Sequence, residues 1–266
     1  NPRFSWDSYR RFIQLFGKVV FGVDDKKFDY VLDKYKKKQK VKDDSKLNVK
    51  SLRNIVSEYK KICEKHTRRK FPDSPNEQLQ LAIEAVFKSW MGERAVVYRR
   101  QNKVTRDIAN GTAVNVVTMV FGNMGDDSAT GVVFTRSGAN GKKELEGDYL
   151  INAQGEDVVA GVRTGKNIEM LKKEMPQSYK ELNNACTKLE NHFKEVQDME
   201  FTVEQGKFYL LQTRNAKMAA QGYVKTSVDM VKEKLIDRKR SLIRIPAEQL
   251  EALLHNTIDE KKAKQF

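Results

Sequence analysis

The most constraining feature of this chain is the stretch from Asp198 to Arg214, which has the pattern of a β-hairpin. Its two arms are rich in aromatic and aliphatic residues, and Gln205-Gly206 interrupts them in the middle. The first arm alternates, with polar residues at 198, 200 and 202 and apolar residues at 199, 201 and 203. The second arm carries Gln212 and Arg214 two residues apart, so these two share a face.

The turn decides whether the polar residues of the two arms meet. A two-residue loop at Gln205-Gly206 places Glu200 opposite Leu211 and separates the polar groups. A three-residue loop, with Gly206 in a left-handed conformation and a bulge, shifts the register by one residue. In that second register four polar side chains face the same way: Asp198, Glu200, Gln212 and Arg214.

Such a face has the chemistry of a magnesium–phosphate site. Carboxylate and amide oxygens are hard ligands that suit Mg²⁺, and a planar guanidinium suits phosphate oxygens. The alternative is a half-solvated sheet whose polar face only contacts water, which is common in antiparallel sheets. The pattern by itself leaves both interpretations open.

Length and composition indicate a chain with a substantial hydrophobic core. The 266 residues suffice for one large or two modest domains, and 39% of them are hydrophobic. No apolar run approaches the roughly 20 residues that cross a bilayer, and no signal-peptide pattern opens the chain. Cys63 and Cys186 lie far apart and are expected to be free thiols in a reducing, cytoplasmic compartment.

The formal net charge of +14 raises the question of nucleic-acid binding. Much of the excess lies between Lys26 and Lys50, where the lysines alternate with apolar helix positions. The aromatic residues there fall at helical spacing, which is typical of core residues and not of base-stacking platforms. We therefore expect no nucleic-acid partner, although a positive field can attract polyphosphates.

Periodicity predicts a helical subdomain over residues 1–72. Three amphipathic helices follow the i, i+3, i+4, i+7 rule, which suggests a small bundle. A fourth helix is predicted to start at Ser74-Pro75, with Ser74 as cap and Glu77 completing a capping box. Its expected buried stripe is Leu79, Ile83, Val86, Phe87 and Trp90.

The pattern becomes extended after Gly92. Strands are expected at 94–100, 112–121, 131–135 and 145–152, before a helical region at 168–196 that breaks near Pro176. Helices are again expected after the hairpin, at 218–235 and from Pro246. The chain is thus predicted to be α+β, with an antiparallel sheet subdomain at 73–217 and linker helices at 218–266.

The hairpin sequence and several other segments resemble the ATP-binding domain of the pyruvate, phosphate dikinase family. These segments follow the family's order from residue 1 to about residue 255, and several are nearly unbroken. The resemblance implies an ATP-grasp fold with ATP and Mg²⁺ as ligands. The other segments are Asn1–Ile13, Trp90–Arg100, Gly111–Val116, Met119–Ser128, Gly131–Arg136 and Tyr149–Gly161.

The resemblance assigns roles to two loops. The segment that starts at Met119 and Val120 lines the nucleotide pocket in the family, so their backbone is a candidate adenine contact. The loop after residue 152 lies beside the polyphosphate, which makes Gln154, Glu156 and Asp157 candidates for orienting groups there. Arg136 and Arg163 are further candidates for phosphate contacts, with surface salt bridges as the alternative.

The resemblance also assigns roles to the hairpin. Glu200 and Gln212 would hold the Mg²⁺ that bridges the nucleotide phosphates. Arg214 would contact the phosphates, and Asp198 would orient the metal or the transferred group.

The family's reaction converts pyruvate, ATP and phosphate into phosphoenolpyruvate, AMP and pyrophosphate through a mobile phosphohistidine. None of His66, His192 and His255 has the family's Thr-Ser-His type motif. We therefore expect the chain to be a fragment that lacks the first ATP-grasp subdomain and the phosphohistidine domain. By itself it would be inactive and bind nucleotide weakly, and its parent would be a homodimer, cytoplasmic or organellar. Two alternatives stay open, a phosphoenolpyruvate synthase-type relative and a basic non-enzymatic module that binds RNA or protein.

Overall fold

The computed structural model describes residues 1–159 and 164–254, and these form two compact units. The first unit is Asn1–Thr118 and the second is Met119–Phe266. Each has its own buried core. The domain boundaries expected at residues 72 and 217 remain predictions. No helix among the described residues is long and apolar enough to cross a membrane.

The first unit consists of helices. α1 (Pro2–Val19), α2 (Asp25–Gln39) and α3 (Val49–Thr67) enclose a core in which Ile13, Phe28 and Tyr59 have no exposed surface. Asn1, Asp24 and Asn48 cap these helices, each accepting a bond from a backbone N–H in the first turn. The three amphipathic helices predicted from periodicity are confirmed.

Two more helices follow, α4 (Pro75–Ser89) and α5 (Glu93–Gln101). Ser74 is the N-cap of α4 and Pro75 its first residue, but the expected capping hydrogen bond is absent. The predicted buried stripe is wrong, because α4 has no buried residue and Leu79 and Phe87 are 42% and 53% exposed. Only the side of α4 with Leu81 and Ala82 packs against the helical core, so the rest of its apolar surface stays open.

Two of the predicted strands are also wrong. Residues 94–100 lie in α5, where good helix formers on both sides outweigh the β-branched Val96 and Val97. In the described chain, residues 102–128 contain neither helix nor strand. A strand needs a neighbour for its backbone hydrogen bonds, and no strand pairs with 112–121 in this structure.

The second unit is built on a five-stranded antiparallel sheet in the order β3-β2-β1-β4-β5. One face packs on the helices between β3 and β4, where Phe201, Leu182 and Cys186 share a core. The strands are β1 (Ala129–Phe134), β2 (Glu146–Ile151), β3 (Lys166–Asn167), β4 (Gln197–Glu204) and β5 (Lys207–Asn215). The helices are α6 (Gly155–Val159), α7 (Leu171–Glu174), α8 (Pro176–Phe193), α9 (Ala220–Lys232), α10 (Arg238–Ile243) and α11 (Ala247–Leu254).

Helices and an antiparallel sheet in one chain confirm the α+β prediction. The strands expected at 131–135 and 145–152 are present as β1 and β2, and the hairpin is present as β4 and β5. The helical break near Pro176 separates α7 from α8. Both cysteines are free and buried, as expected.

Candidate functional site

The hairpin turn has two residues, both in the left-handed region. Gln205 has φ of 49° and Gly206 has φ of 79°, and Glu204 pairs with Lys207 across them. This is the geometry of a two-residue hairpin whose twist matches the flanking strands. The prediction of a three-residue loop, the register in which the polar residues were expected to meet, is therefore wrong.

The polar residues meet by another route. Phe201 pairs with Leu210, whereas Glu200 pairs with Gln212, so Leu211 is an extra residue that forms a bulge inside β5. The bulge shifts the register by one residue beyond that point. Asp198 consequently lies opposite Arg214, and the expected juxtaposition of the two polar pairs is confirmed.

Asp198 and Arg214 form an ion pair. The Nε atom of Arg214 donates to Oδ2 of Asp198 over 2.7 Å. This hydrogen bond, together with the charges of Asp198 and Glu200, raises the pKa of Arg214. In the described chain the two Nη atoms of Arg214 make no hydrogen bond, and the side chain is 65% exposed. The outer edge of the guanidinium is therefore open to an anion.

The sheet face that carries these residues extends onto β1 and β2. Val132 pairs with Glu200 on one side and with Asp148 on the other, so Asp148, Glu200 and Gln212 lie in one row across the sheet. Asp148 was not among the site residues predicted from the sequence. The alternation of residues along β2 could have indicated it. Glu146 and Asp148 are exposed and alternate with Gly147 and buried Tyr149, so both acids lie on the polar side of the strand.

The opposite side of the same sheet is apolar. Met199, Phe201 and Val203 are fully buried against the core of the second unit. Because alternate residues of a strand point to opposite faces, this burial fixes Asp198 and Glu200 on the polar side. A one-residue slip of β4 would bury two carboxylates, so the core determines the direction of the candidate site.

Two loops approach this face near Thr130, which bonds Thr202 over 3.3 Å on the neighbouring strand. The backbone passes so closely at Gly122 that an added Cβ would lie 2.4 Å from the Ala153 carbonyl oxygen. Gln154 donates to Asn123 over 3.3 Å and joins the two loops. Only glycine permits this approach.

The first loop is also bonded to the hairpin tip by three hydrogen bonds. The Phe121 N–H donates to Glu204 Oε1 over 2.8 Å. The Gln205 N–H donates to Ser128 Oγ over 3.0 Å, and the Gly206 N–H donates to the Asp127 carbonyl over 2.8 Å. These bonds thus connect the loop that follows Met119 to β4 and β5, the strands that carry Glu200 and Gln212.

The remaining sequence-based candidates lie in different surroundings. Met119 is 61% exposed and Val120 is half-buried, just before this loop. Gln154 precedes α6, and its backbone N–H donates to Oδ2 of Asp157 over 3.0 Å. Glu156 is exposed on α6. Arg163 lies outside the described residues.

Arg136 does not belong to the polar face. Its side chain has no exposed surface, and its guanidinium donates to Glu190 over 2.6 Å and to Glu233 over 2.7 Å. Both carboxylates occupy donors that a phosphate would need. The expectation of a phosphate contact is therefore replaced by a structural ion pair that joins the end of β1 to α8 and to the end of α9.

The donor set suits a magnesium ion that is shared with a ligand. Among the described residues, no group of three or more His, Cys, Asp or Glu could enclose a metal by itself. Glu200 and Gln212 offer a carboxylate and an amide oxygen at paired positions. Mg²⁺ typically binds one or two protein oxygens and completes its shell with phosphates and water, so this pair fits it.

Comparison with known proteins decides the family. The family model described as pyruvate phosphate dikinase, AMP/ATP-binding domain, matches residues 33–178 and 169–235. The chain belongs to this family. All the strands of the pyruvate phosphate dikinase domain described above lie within the matched residues.

The chain is 48% identical to the pyruvate, phosphate dikinase of Entamoeba histolytica over 97% of its length, and 47% identical to that of Clostridium symbiosum. It is 45% identical to the chloroplastic enzyme of Mesembryanthemum crystallinum over 99% of its length. The chain spans only 29%, 30% and 28% of these three relatives. The match therefore identifies the domain family, while most of each relative lies outside it.

Proposed function

We propose that the polar face of β4 and β5 binds the Mg²⁺–polyphosphate part of ATP. The observation that carries this is the register, which places Glu200 opposite Gln212 and Asp198 opposite Arg214. Glu200 and Gln212 would hold Mg²⁺, which neutralises the charge of the phosphate oxygens. The match to an AMP/ATP-binding domain family supports the choice of nucleotide.

Arg214 and Asp198 would act as a unit. Asp198 holds the Nε edge of the guanidinium, so the two Nη atoms face outward for phosphate oxygens. Asp198 is then a positioning residue for Arg214 as well as a candidate partner of the metal. Phosphoryl transfer depends on such positioning and charge neutralisation more than on covalent participation by the nucleotide site.

The loops at 119–128 and 152–159 would bind the rest of the nucleotide. Backbone near Met119 and Val120 is the proposed adenine contact, and Gln154 and Glu156 would orient the phosphates. The hydrogen bonds that join these loops to each other and to the hairpin tip support a single nucleotide site.

For the longer protein we propose the dikinase reaction, in which ATP phosphorylates a histidine on the way to phosphoenolpyruvate, AMP and pyrophosphate. The names of the relatives support a dikinase over the synthase-type alternative. The acceptor histidine and the pyruvate site would lie outside the matched region. The chain by itself would then bind nucleotide weakly and turn nothing over, and a homodimeric parent remains part of the proposal.

The test is a calorimetric titration of the chain with Mg-ATP. Glu200→Gln removes the anionic ligand and Arg214→Ala removes the phosphate contact, and each should weaken Mg-ATP binding by about tenfold to a hundredfold. Glu181→Gln, which makes the same change on α8 behind the sheet, should leave binding unaltered. Wild-type affinity in both site variants would refute the proposal.

A further inference from the structure

A basic groove lies in the first unit between the start of α2 and the end of α3. It encloses about 710 Å³. Its walls combine cationic side chains with an aromatic ring and aliphatic groups. The lining residues are Lys26, Lys27, Tyr30, Val31, Ile62, Lys65, His66 and Arg68.

The cations of this groove have no acidic partner. Within the described chain, none of Lys26, Lys27, Lys65 and Arg68 forms an ion pair. The nearby acids on α2 are engaged with α1, since Asp25 pairs with Lys18 over 2.6 Å and Asp29 accepts from Gln14 over 3.2 Å. Glu64 on α3 does not line the groove. Four unneutralised cations around one cavity favour an anionic ligand.

The surrounding charge strengthens this preference. Residues 1–70 contain 21 Lys and Arg against 9 Asp and Glu, a net charge of +12 out of +14 for the whole chain. The field of the first unit therefore draws polyanions toward it. The polar face of the second unit has the opposite character, because three carboxylates, Asp148, Asp198 and Glu200, lie on it.

Tyr30 indicates what the anion carries. Its side chain is 75% exposed although it lies among apolar helix positions, and Val31 and Ile62 line the same groove. An exposed ring beside cations is a surface on which a nucleobase can stack. A polyphosphate concentrates several negative charges in a short length, which matches four cations around one groove better than the separated carboxylates of a peptide.

We propose that this groove is a second anion site, which binds a nucleoside polyphosphate. The phosphates contact Lys26, Lys27, Lys65 and Arg68, and the base stacks on Tyr30. The volume of the groove is within the range of small-molecule sites, about 300–1,000 Å³. The site shares no residue with the polar face and does not use Mg²⁺, so it stands apart from the function proposed above.

The test is a titration of the whole chain with ADP, and separately with tripolyphosphate, at low salt in the presence of EDTA. Without Mg²⁺ the polar face contributes little, and the groove should bind both compounds. Combining Lys26→Glu with Lys65→Glu should weaken both by about tenfold or more, because each change replaces attraction by repulsion. Tyr30→Ala should weaken ADP and leave tripolyphosphate unchanged.

Two matched controls make the outcome decisive. Lys38→Glu alters the charge of α2 equally but outside the groove, and it should preserve most of the binding. Arg214→Ala should not affect binding in EDTA. The proposal is overturned if wild type binds no ADP under these conditions, or if the loss appears in Arg214→Ala. Lys65→Glu is also measured by itself, as the single charge reversal that matches Lys38→Glu. The proposal is overturned if Lys38→Glu weakens binding as much as Lys65→Glu, since a diffuse surface that suits single-stranded RNA would then explain the affinity.

Discussion

In the structure Arg136 forms a buried ion pair, although it was predicted to contact phosphate. It lies two residues after the end of β1, and its guanidinium is fully buried between Glu190 and Glu233. Thr135 also donates to Glu190 over 2.8 Å, so the carboxylate is held from two sides. The cost of burying these charges is offset only while every partner is present.

Arg136→Ala should therefore lower the free energy of unfolding of the second unit by about 3–5 kcal/mol, because buried Glu190 would lose its cationic partner. Urea denaturation followed by circular dichroism measures the change. Arg238→Ala on the exposed surface should alter stability by less than about 0.5 kcal/mol. A loss in Arg136→Ala no larger than this control would contradict the structural role.

Glu233 adds a pH dependence to the same network. The hydrogen bond from Arg136 lowers the pKa of Glu233 from its ordinary value of 4.5 to about 2. Because folding lowers the pKa of Glu233, its ion pair with Arg136 contributes fully to the free energy of unfolding above pH 4.5. This contribution is lost as the pH falls toward about 2. Glu233→Gln should flatten this part of the profile when unfolding is measured between these limits. A profile identical to wild type would exclude Glu233 as its source.

At the scale of elements, the hairpin combines a regular turn with an irregular strand. Leu211 is inserted between the pairs Phe201–Leu210 and Glu200–Gln212, and regular pairing resumes on both sides of it. Bulges increase the local twist of a strand and re-aim the side chains beyond them.

Deletion of Leu211 should preserve the proposed site. Leu210 would then precede Gln212 directly, which continues regular pairing and still places Gln212 opposite Glu200 and Arg214 opposite Asp198. We expect Mg-ATP affinity to fall by less than about tenfold, since only the added twist is lost. Deletion of Thr213 is the contrasting variant, because it moves Arg214 opposite Met199 and should abolish the Asp198 contact. Equal losses in the two deletions, measured by calorimetry, would show that the bulge itself is required.

Elements with a strong period were predictable from the sequence, and elements that depend on distant contacts were not. The helices of the first 72 residues and strand β4 follow directly from their apolar spacing. The residues of the polar face were identified because Asp198 and Glu200 alternate with buried neighbours. The bulge was misplaced because Leu210 and Leu211 are equivalent in any local pattern. The exposure of the apolar stripe of α4 was not predicted, because the sequence does not show whether another element packs against such a stripe.

At the scale of the whole molecule, the described residues form one core in the first unit, and one main core with a smaller cluster around Met230 in the second. The first core is formed by helices α1–α3, and the second by the sheet with α7 and α8. Residues 102–118, at the end of the first unit, contain neither helix nor strand. The net charge is equally uneven, because residues 1–70 carry most of it.

Brief trypsin treatment should cut between the two cores at Lys103 or Arg106 before it cuts inside either core. Both residues are exposed and lie in a segment that belongs to neither a helix nor a strand. Proteases cleave such segments first, because no regular hydrogen bonds have to be broken. Mass spectrometry of the early products identifies the site. Combining Lys103→Gln with Arg106→Gln should delay the separation of the two halves. Earlier cleavage inside α3 or α8 would contradict this order.

The three hydrogen bonds that fasten the loop at 121–128 to the hairpin tip have a consequence for selectivity. The hydrogen bonds of Phe121, Gln205 and Gly206 fix the distance between the loop at 121–128 and the β4–β5 hairpin. The proposed base contact and the proposed metal ligands therefore lie at a fixed separation. A ligand that reaches both must match a fixed span. Compounds with one phosphate too few or too many would then be rejected by length alone, without any group that senses their charge.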